Sequence, residues 1–289
     1  MTKDILDALK RRLPELSKSQ RALANYILEF YEKAAFMTAT RLATVVGVSE
    51  STVVRFAVEM GFNGYPELQK ALQEAIPGRL TAVQRMEVTH DRLADQDVVS
   101  LVLQSDMEKL RRTIESVDRR DFEAAVSVIL RAKRIFVIGL RSAAALAGFL
   151  GYYLNYMFEN VHLITASGTV ELLERVAGIG ERDAVVAISF PRYSAATQTG
   201  VFYCKDAGAS VIAITDSERS PVGVEADFVL TAKSDMVSLV DSLVAPLSLI
   251  NALIVALAAK REKELTKTFG SLEKIWEKYQ VYGNQNEEL

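Results

Sequence analysis

Ser49, Ser51, Thr52 and Arg55 fall within seven residues of one another in VVGVSESTVVRF (45–56), a stretch that stops one helix-like run and restarts another at once. Short hydroxyl side chains at the start of a helix, backed by its free amides, suit contact with phosphate or base edges, and an arginine one turn on extends that reach. The interruption supplies the geometry. Gly47 can take a positive φ, Val48 is apolar and Ser49 can cap the next helix. In a helix over 50–60, Val53, Phe56, Ala57 and Met60 share one side, while Ser51, Thr52, Arg55 and Glu59 fall on the other. A core-facing stripe opposite short polar groups and an arginine fits a reading helix in a major groove, with the turn setting its angle to a supporting helix. A corner of any helical bundle, with Arg55 solvated, fits the same letters.

Catalytic chemistry finds little material. Proton transfer needs a base poised near neutral pH, usually histidine or a tuned glutamate. The histidines are His90, in a segment without periodicity, and His162, inside a strand-like run. Asp241 stands out as a carboxylate inside an apolar, helix-like run (VSLVDSLVAPLSLI). Buried there it needs partners: a ligand hydroxyl, a helix cap and a subunit contact all answer. No nucleophile–base set, metal cluster or Walker loop is evident. The single cysteine, Cys204, excludes an internal disulfide and a cysteine-based metal cluster, and fits a reducing cytoplasm. No catalytic residue, metal or cofactor is therefore expected.

The elements that must position these residues change character along the chain. Over 1–76, ILDALKRRL, the run from Ser17 to Tyr31, ATRLATVV, ESTVVRFAVEM and PELQKALQEAI repeat apolar positions at helical spacing. Ser17 and Ser49 stand where N-caps belong, and Pro66 where a first-turn proline belongs. Residues 76–97 lack periodicity and begin with Pro77-Gly78, as a linker would. Helices are expected over 98–117 and 122–131. From Arg134, short apolar runs (134–139, 161–166, 183–189, 210–215 and 227–232) alternate with helical ones, the pattern of a doubly wound parallel sheet of five strands.

Bulk properties agree. The 289 residues suggest about two domains, and 49% hydrophobic with 25% charged residues permits a real core. The net charge of −3 does not announce nucleic acid, although residues 1–79 carry 11 Lys and Arg against 9 Asp and Glu, a surplus of +2 that leaves −5 for the rest. The N-terminus shows no hydrophobic signal core, so no export is indicated and a cytoplasmic location is expected. The apolar run 243–259 falls short of a bilayer span of about 20 residues and reads as a buried helix, so no membrane partner is expected.

The block MTATRLATVVGVSESTVVRFAVEMGFNGYPELQKAL (37–72) resembles the helix-turn-helix of the RpiR family of bacterial transcriptional regulators. The matching letters are Gly47-Val48-Ser49, Ser51-Thr52-Val53, Arg55-Phe56, Met60-Gly61-Phe62 and Tyr65, and LSKSQRALANYILE (16–29) is similar to the family's first long helix. Residues 118–260 resemble the SIS (sugar isomerase) domain. That resemblance implies a phosphosugar bound where strand ends meet helix N-termini. Gly139 and Ser142 of IGLRSA fill positions of a Gly-x-Gly-x-Ser loop, with Arg141 near the second glycine. Ser189 and Ser194 of ISFPRYSAAT match a Ser-x-Ser-Gly-x-Ser/Thr loop, with Pro191 and Arg192 replacing its serine and glycine. Pro191 has no amide to donate, whereas Arg141 and Arg192 can contact phosphate or carboxylate.

The resemblance thus implies an all-α helix-turn-helix domain (1–77), a linker and connecting helix (78–116), an α/β SIS domain (117–270) and a C-terminal helix and tail (271–289). The expected function is a DNA-binding regulator, not an enzyme, that senses a phosphosugar or related anion. DNA contacts are expected from Ser49, Ser51, Thr52 and Arg55, and ligand contacts from Gly139, Arg141, Ser142, Ser189, Arg192, Ser194 and Asp241. The expected partners are double-stranded operator DNA, the anionic effector, and a second copy in a homodimer or tetramer. A phosphosugar isomerase or lyase with an accessory helical domain, and a dimerisation module with a decayed pocket, are the alternatives.

Overall fold

A computed structural model describes residues 4–74, 86, 97–165, 168–234 and 240–282. The chain divides into two compact units, one of residues 1–99 with 237–240 and the other of residues 100–236 with 241–289.

The first unit is helical: α1 (Asp4–Arg12), α2 (Lys18–Glu29), α3 (Tyr31–Ala34), α4 (Ala39–Val46), α5 (Glu50–Glu59) and α6 (Tyr65–Glu74), with a 3-10 turn at Leu13–Glu15. Its boundaries have local causes. Ser17 caps α2 in a reciprocal box with Gln20. Thr38 caps α4 through the Arg41 amide. Gly47 ends α4 at φ 77°, ψ 37°, and the Val48 amide closes back on Ala43 O at 2.9 Å. The end of α5 repeats the device, with Gly61 at φ 92° and the Phe62 amide on Ala57 O at 3.1 Å. Leu23, Ile27, Leu42, Val53, Phe56, Leu68 and Leu72 fill the core. Tyr65 is buried there with its hydroxyl donating to Met37 O at 2.8 Å. The linker expected over 76–97 lies almost wholly outside the described residues.

The second unit begins with α7 (Val98–Ser116) and α8 (Arg119–Arg131), and α8 starts earlier than its apolar pattern suggests because Asp118 accepts from the Arg120 and Asp121 amides. Then follow β1 (Ile135–Gly139), α9 (Ala143–Met157), β2 (Val161–Ile164), α10 (Thr169–Val176), β3 (Ala184–Ile188), α11 (Ala195–Asp206), β4 (Ser210–Thr215), β5 (Phe228–Thr231), α12 (Val244–Lys260) and α13 (Glu262–Lys278). The five strands are all parallel in the order β2-β1-β3-β4-β5. Alternate residues of the central strands feed two cores, as the pleat requires. Ile135, Val137, Val186, Ile188, Ile212 and Ile214 meet α8, α9 and α12. Phe136, Ile138, Val185, Ala187, Val211 and Ala213 meet α10 and α11. The sheet is thus covered on both faces, and the doubly wound five-stranded reading holds. Edge strand β2 departs from it: His162 is exposed and stacks on Phe136 with centroids 4.7 Å apart.

Ties at the strands' amino ends hold this sheet. Arg134, just before β1, donates to both carboxylate oxygens of Asp183, just before β3, at 3.0 and 2.6 Å. The Gly180 amide adds a third bond, 3.0 Å long. Asp227, before β5, accepts from the Val211 amide at 2.9 Å and pairs with Lys205. Asp121 of α8 accepts from the Val229 amide at 2.8 Å.

No single helix among the described residues is long and apolar enough to cross a membrane. The helix imagined around Asp241 is corrected: α12 begins at Val244, so the half-buried Asp241 precedes it. The turn there is made by Ser242, whose Oγ accepts from the Val244 amide at 3.4 Å and whose carbonyl accepts from the buried Ser234 hydroxyl at 3.0 Å.

Candidate functional sites

The outward face of α5 differs in detail from the face drawn by counting polar letters. Val53, Phe56 and Ala57 are fully buried. Ser49 caps the helix: its Oγ accepts from the Thr52 amide at 3.3 Å and lies 2.9 Å from Ser51 Oγ and 2.8 Å from Thr52 Oγ1. Ser49 and Thr52 are therefore engaged in ordering the helix start, and Thr52 is half-buried. Arg55 is exposed and donates from Nε to Ser51 O at 3.3 Å, which lays its stem along the first turn. Glu59, placed with the polar face, is instead drawn towards α2, where the Gln20 side chain bonds its carboxylate and Arg12 bonds its carbonyl. The exposed residues of α5 are Glu50, Ser51, Val54, Arg55, Val58 and Glu59. The two valines were missed by sequence reasoning because they are apolar; their i, i+3, i+4, i+7 register with Ser51 and Arg55 was the available signal.

In the second unit the expected loops lie where the crossovers diverge. From β1 the chain crosses to β2 on one side and then returns past β1 to β3 on the other, and in such a sheet a crevice opens at the carboxyl ends of the pair β1 and β3. Gly139 pairs with Ile188, so the loops 140–142 and 189–194 leave neighbouring strand ends about 4.8 Å apart. Gly139, Arg141, Ser142, Ser189, Arg192 and Ser194 are thereby brought to one rim of the sheet; Asp241 belongs to a separate segment. Each position has a structural reason. A Cβ on Gly139 would lie 2.7 Å from both Ala143 O and Ala147 Cβ, so glycine alone lets α9 cross the strand end this closely. Arg141 takes φ 59°, the left-handed conformation glycine favours, so the arginine standing near an expected glycine keeps the glycine's backbone. Ser142 precedes α9 without capping it, whereas Ser194 caps α11 by accepting from the Thr197 amide at 3.4 Å. Ser189 is buried, with its amide on Ile214 O at 3.1 Å; Pro191 is buried too, while Arg192 is exposed.

Further residues at this rim escaped the sequence reading. Tyr193 donates to Asp216 Oδ1 at 2.8 Å, tying the loop after β3 to the end of β4. Thr197 Oγ1, in the first turn of α11, is buried without a hydrogen-bond partner. Two helices, α9 and α11, start at this rim, and their dipoles favour an anion there. Among the described residues no group of three or more His, Cys, Asp or Glu could hold a metal ion. Cys204 is buried in α11, and burial pushes its thiol up to about 12.

Comparison with known proteins defines the class. Residues 3–77 match the model of the helix-turn-helix domain of the rpiR family, and residues 128–256 match the SIS domain. The chain belongs with the RpiR-type transcriptional regulators, which pair these two domains. Among curated relatives, the regulator HexR of Escherichia coli is 27% identical over 229 residues, covering 79% of this chain and 77% of that one. HexR of Pseudomonas aeruginosa is 26% identical over 215 residues, covering 74% and 73%. Among solved structures, the sugar isomerase domain of an RpiR transcription factor from Sphaerobacter thermophilus superposes with TM-score 0.59 at 28% identity, covering 62% of this chain and 99% of that one. The NanR protein of Vibrio vulnificus, solved with ManNAc-6P, superposes with TM-score 0.59 at 21% identity, covering 97% and 100%.

Proposed function

We propose that this regulator reads a two-fold operator through α5 and responds to a sugar phosphate or related anionic sugar held between the loops 140–142 and 189–194. The observation that carries the effector reading is the convergence of two helix N-termini, three serines and two arginines at the switch point of the sheet. In the NanR protein this fold accompanies ManNAc-6P. Ser142, Ser189 and Ser194 supply hydroxyls, Arg141 and Arg192 supply charge, and Gly139 keeps α9 close. Asp241 is assigned to a ligand hydroxyl. Binding without catalysis is the role proposed, since among the described residues no residue set of an isomerase is assembled at this rim. Ser51 and Arg55 contact DNA directly, with Ser49 and Thr52 presenting the helix start. The working boundaries are 1–77, 78–116, 117–270 and 271–289, in a cytoplasmic protein.

The test is calorimetry with a panel of sugar phosphates and the matching uncharged sugars, followed by anisotropy on operator DNA. Phosphorylated sugars are expected to bind and to change operator affinity. Ser189→Ala should weaken the sugar phosphate by about 1–3 kcal/mol, the scale of a lost hydrogen bond to a charged group. Its operator affinity without ligand should stay at the wild-type value. Equal binding of uncharged sugars, or a wild-type response from Ser189→Ala, places the effector elsewhere.

A further inference from the structure

The exposed face of α5 carries a feature that folding does not explain. Val54 is 41% and Val58 55% exposed, on the side opposite the buried Val53, Phe56 and Ala57. Valine is disfavoured in helices because its branched Cβ loses rotamer freedom, a cost normally offset by burial. Here neither side chain joins the core of its own unit. The polar groups around them are largely committed: Ser49 and Thr52 to the cap, Glu50 to the Thr40 hydroxyl at 2.9 Å, and Glu59 to Gln20 and Arg12. Ser51 Oγ likewise lies 2.9 Å from Ser49 Oγ, so what α5 offers outward is chiefly Arg55 beside two adjacent isopropyl groups.

The major groove has one apolar group with which such a surface is complementary, the C5-methyl of thymine. We propose that Val54 and Val58 read thymine methyls, and that they, with Arg55, set the operator sequence. This rests on the DNA-reading role given above to α5. Val54 and Val58 are one helical turn apart, about 6 Å along the axis, against a base-pair rise of about 3.4 Å. The pair therefore spans roughly two base-pair steps. Each half-site should carry two thymines, on either strand, at about that spacing, with a guanine beside them for the Arg55 guanidinium.

The experiment uses the full chain to select sites from a random duplex pool, then replaces each thymine of the selected site with uracil, which removes only the methyl. Two positions per half-site are expected to weaken binding about fourfold each, equivalent to ~0.8 kcal/mol for one buried methyl. Val54→Ala should lose its sensitivity to uracil at one of these positions and Val58→Ala at the other, while both variants keep or raise the wild-type melting temperature. If no thymine-to-uracil change alters the affinity, or if both variants remain as sensitive as wild type, the proposal is overturned and the DNA-reading role stands. If selection enriches no sequence at all, the DNA-reading role fails and the proposal fails with it.

Discussion

Arg55 and Phe56 are consecutive residues with opposite surroundings, and the helix period alone separates them. Arg55 is exposed on the face that carries Ser51, whereas Phe56 is fully buried against the other helices of its unit. Arg55→Ala should weaken operator binding by about 1–3 kcal/mol with an unchanged melt. Phe56→Ala should instead cost the first unit about 3–5 kcal/mol of stability, the usual range for emptying a buried aromatic site. Anisotropy and thermal denaturation on the two variants separate the roles, and an Arg55→Ala protein of wild-type affinity refutes the first. The exposure of one and the burial of the other were legible in the sequence because burial follows period. Less legible was the linkage among hydroxyls: Ser49 caps the Thr52 amide, and its Oγ also lies within hydrogen-bond reach of both Ser51 Oγ and Thr52 Oγ1. Arg141 shows the same limit, since only the backbone reveals that it holds a glycine's conformation.

Elements, more than residues, were readable in advance. The caps at Ser17 and Ser49 and the stop at Gly47 are local chemistry, so the letters suffice. The central strands declared themselves by being apolar on both faces. The segment before α12 misled, because apolar period continues through Asp241 while the helix starts only at Val244, where Ser242 makes the turn. Tertiary ties of that kind leave no periodic trace. The Arg134–Asp183 pair is another, joining residues far apart in the chain at the feet of two strands. Burial works against the Asp183 charge, but the Arg134 bonds and the Gly180 amide outweigh it and hold the carboxyl below its usual range. A depressed carboxyl stabilises the fold above its unfolded-state value of about 3.9 and loses that contribution as pH falls through its folded value. Asp183→Ala should therefore lower stability by about 2–3 kcal/mol at neutral pH, a figure reduced because Arg134 is partly exposed. The deficit should close as the pH is taken below about 4. A melting-temperature difference that stays constant across that range would exclude this role.

At the scale of the molecule, one reading helix covers only a few base pairs, so specificity calls for two copies on a two-fold site. Exposed apolar side chains are available for such pairing. On α7, Val99, Leu103, Met107 and Ile114 are exposed; on α9 and α12, Tyr152 and Val255 are. Tyr152, Tyr153 and Tyr156 form an aromatic cluster that reaches Phe269 of α13. A homodimer, or a tetramer of two such pairs, should be the species seen by light scattering at micromolar concentration, and a monomer there would contradict the expectation.

The ties of the sheet have a consequence of another kind. The carboxylate bonds described above gather at the strands' amino ends, while the departures from the resembled loops, Arg141, Pro191 and Arg192, gather at the opposite ends. These carboxylate ties and the loops proposed to hold the effector thus lie at opposite ends of the sheet. On the proposed reading, a substitution in the loops at one rim leaves these carboxylate bonds untouched, so a change of effector need not remove the ties at the other.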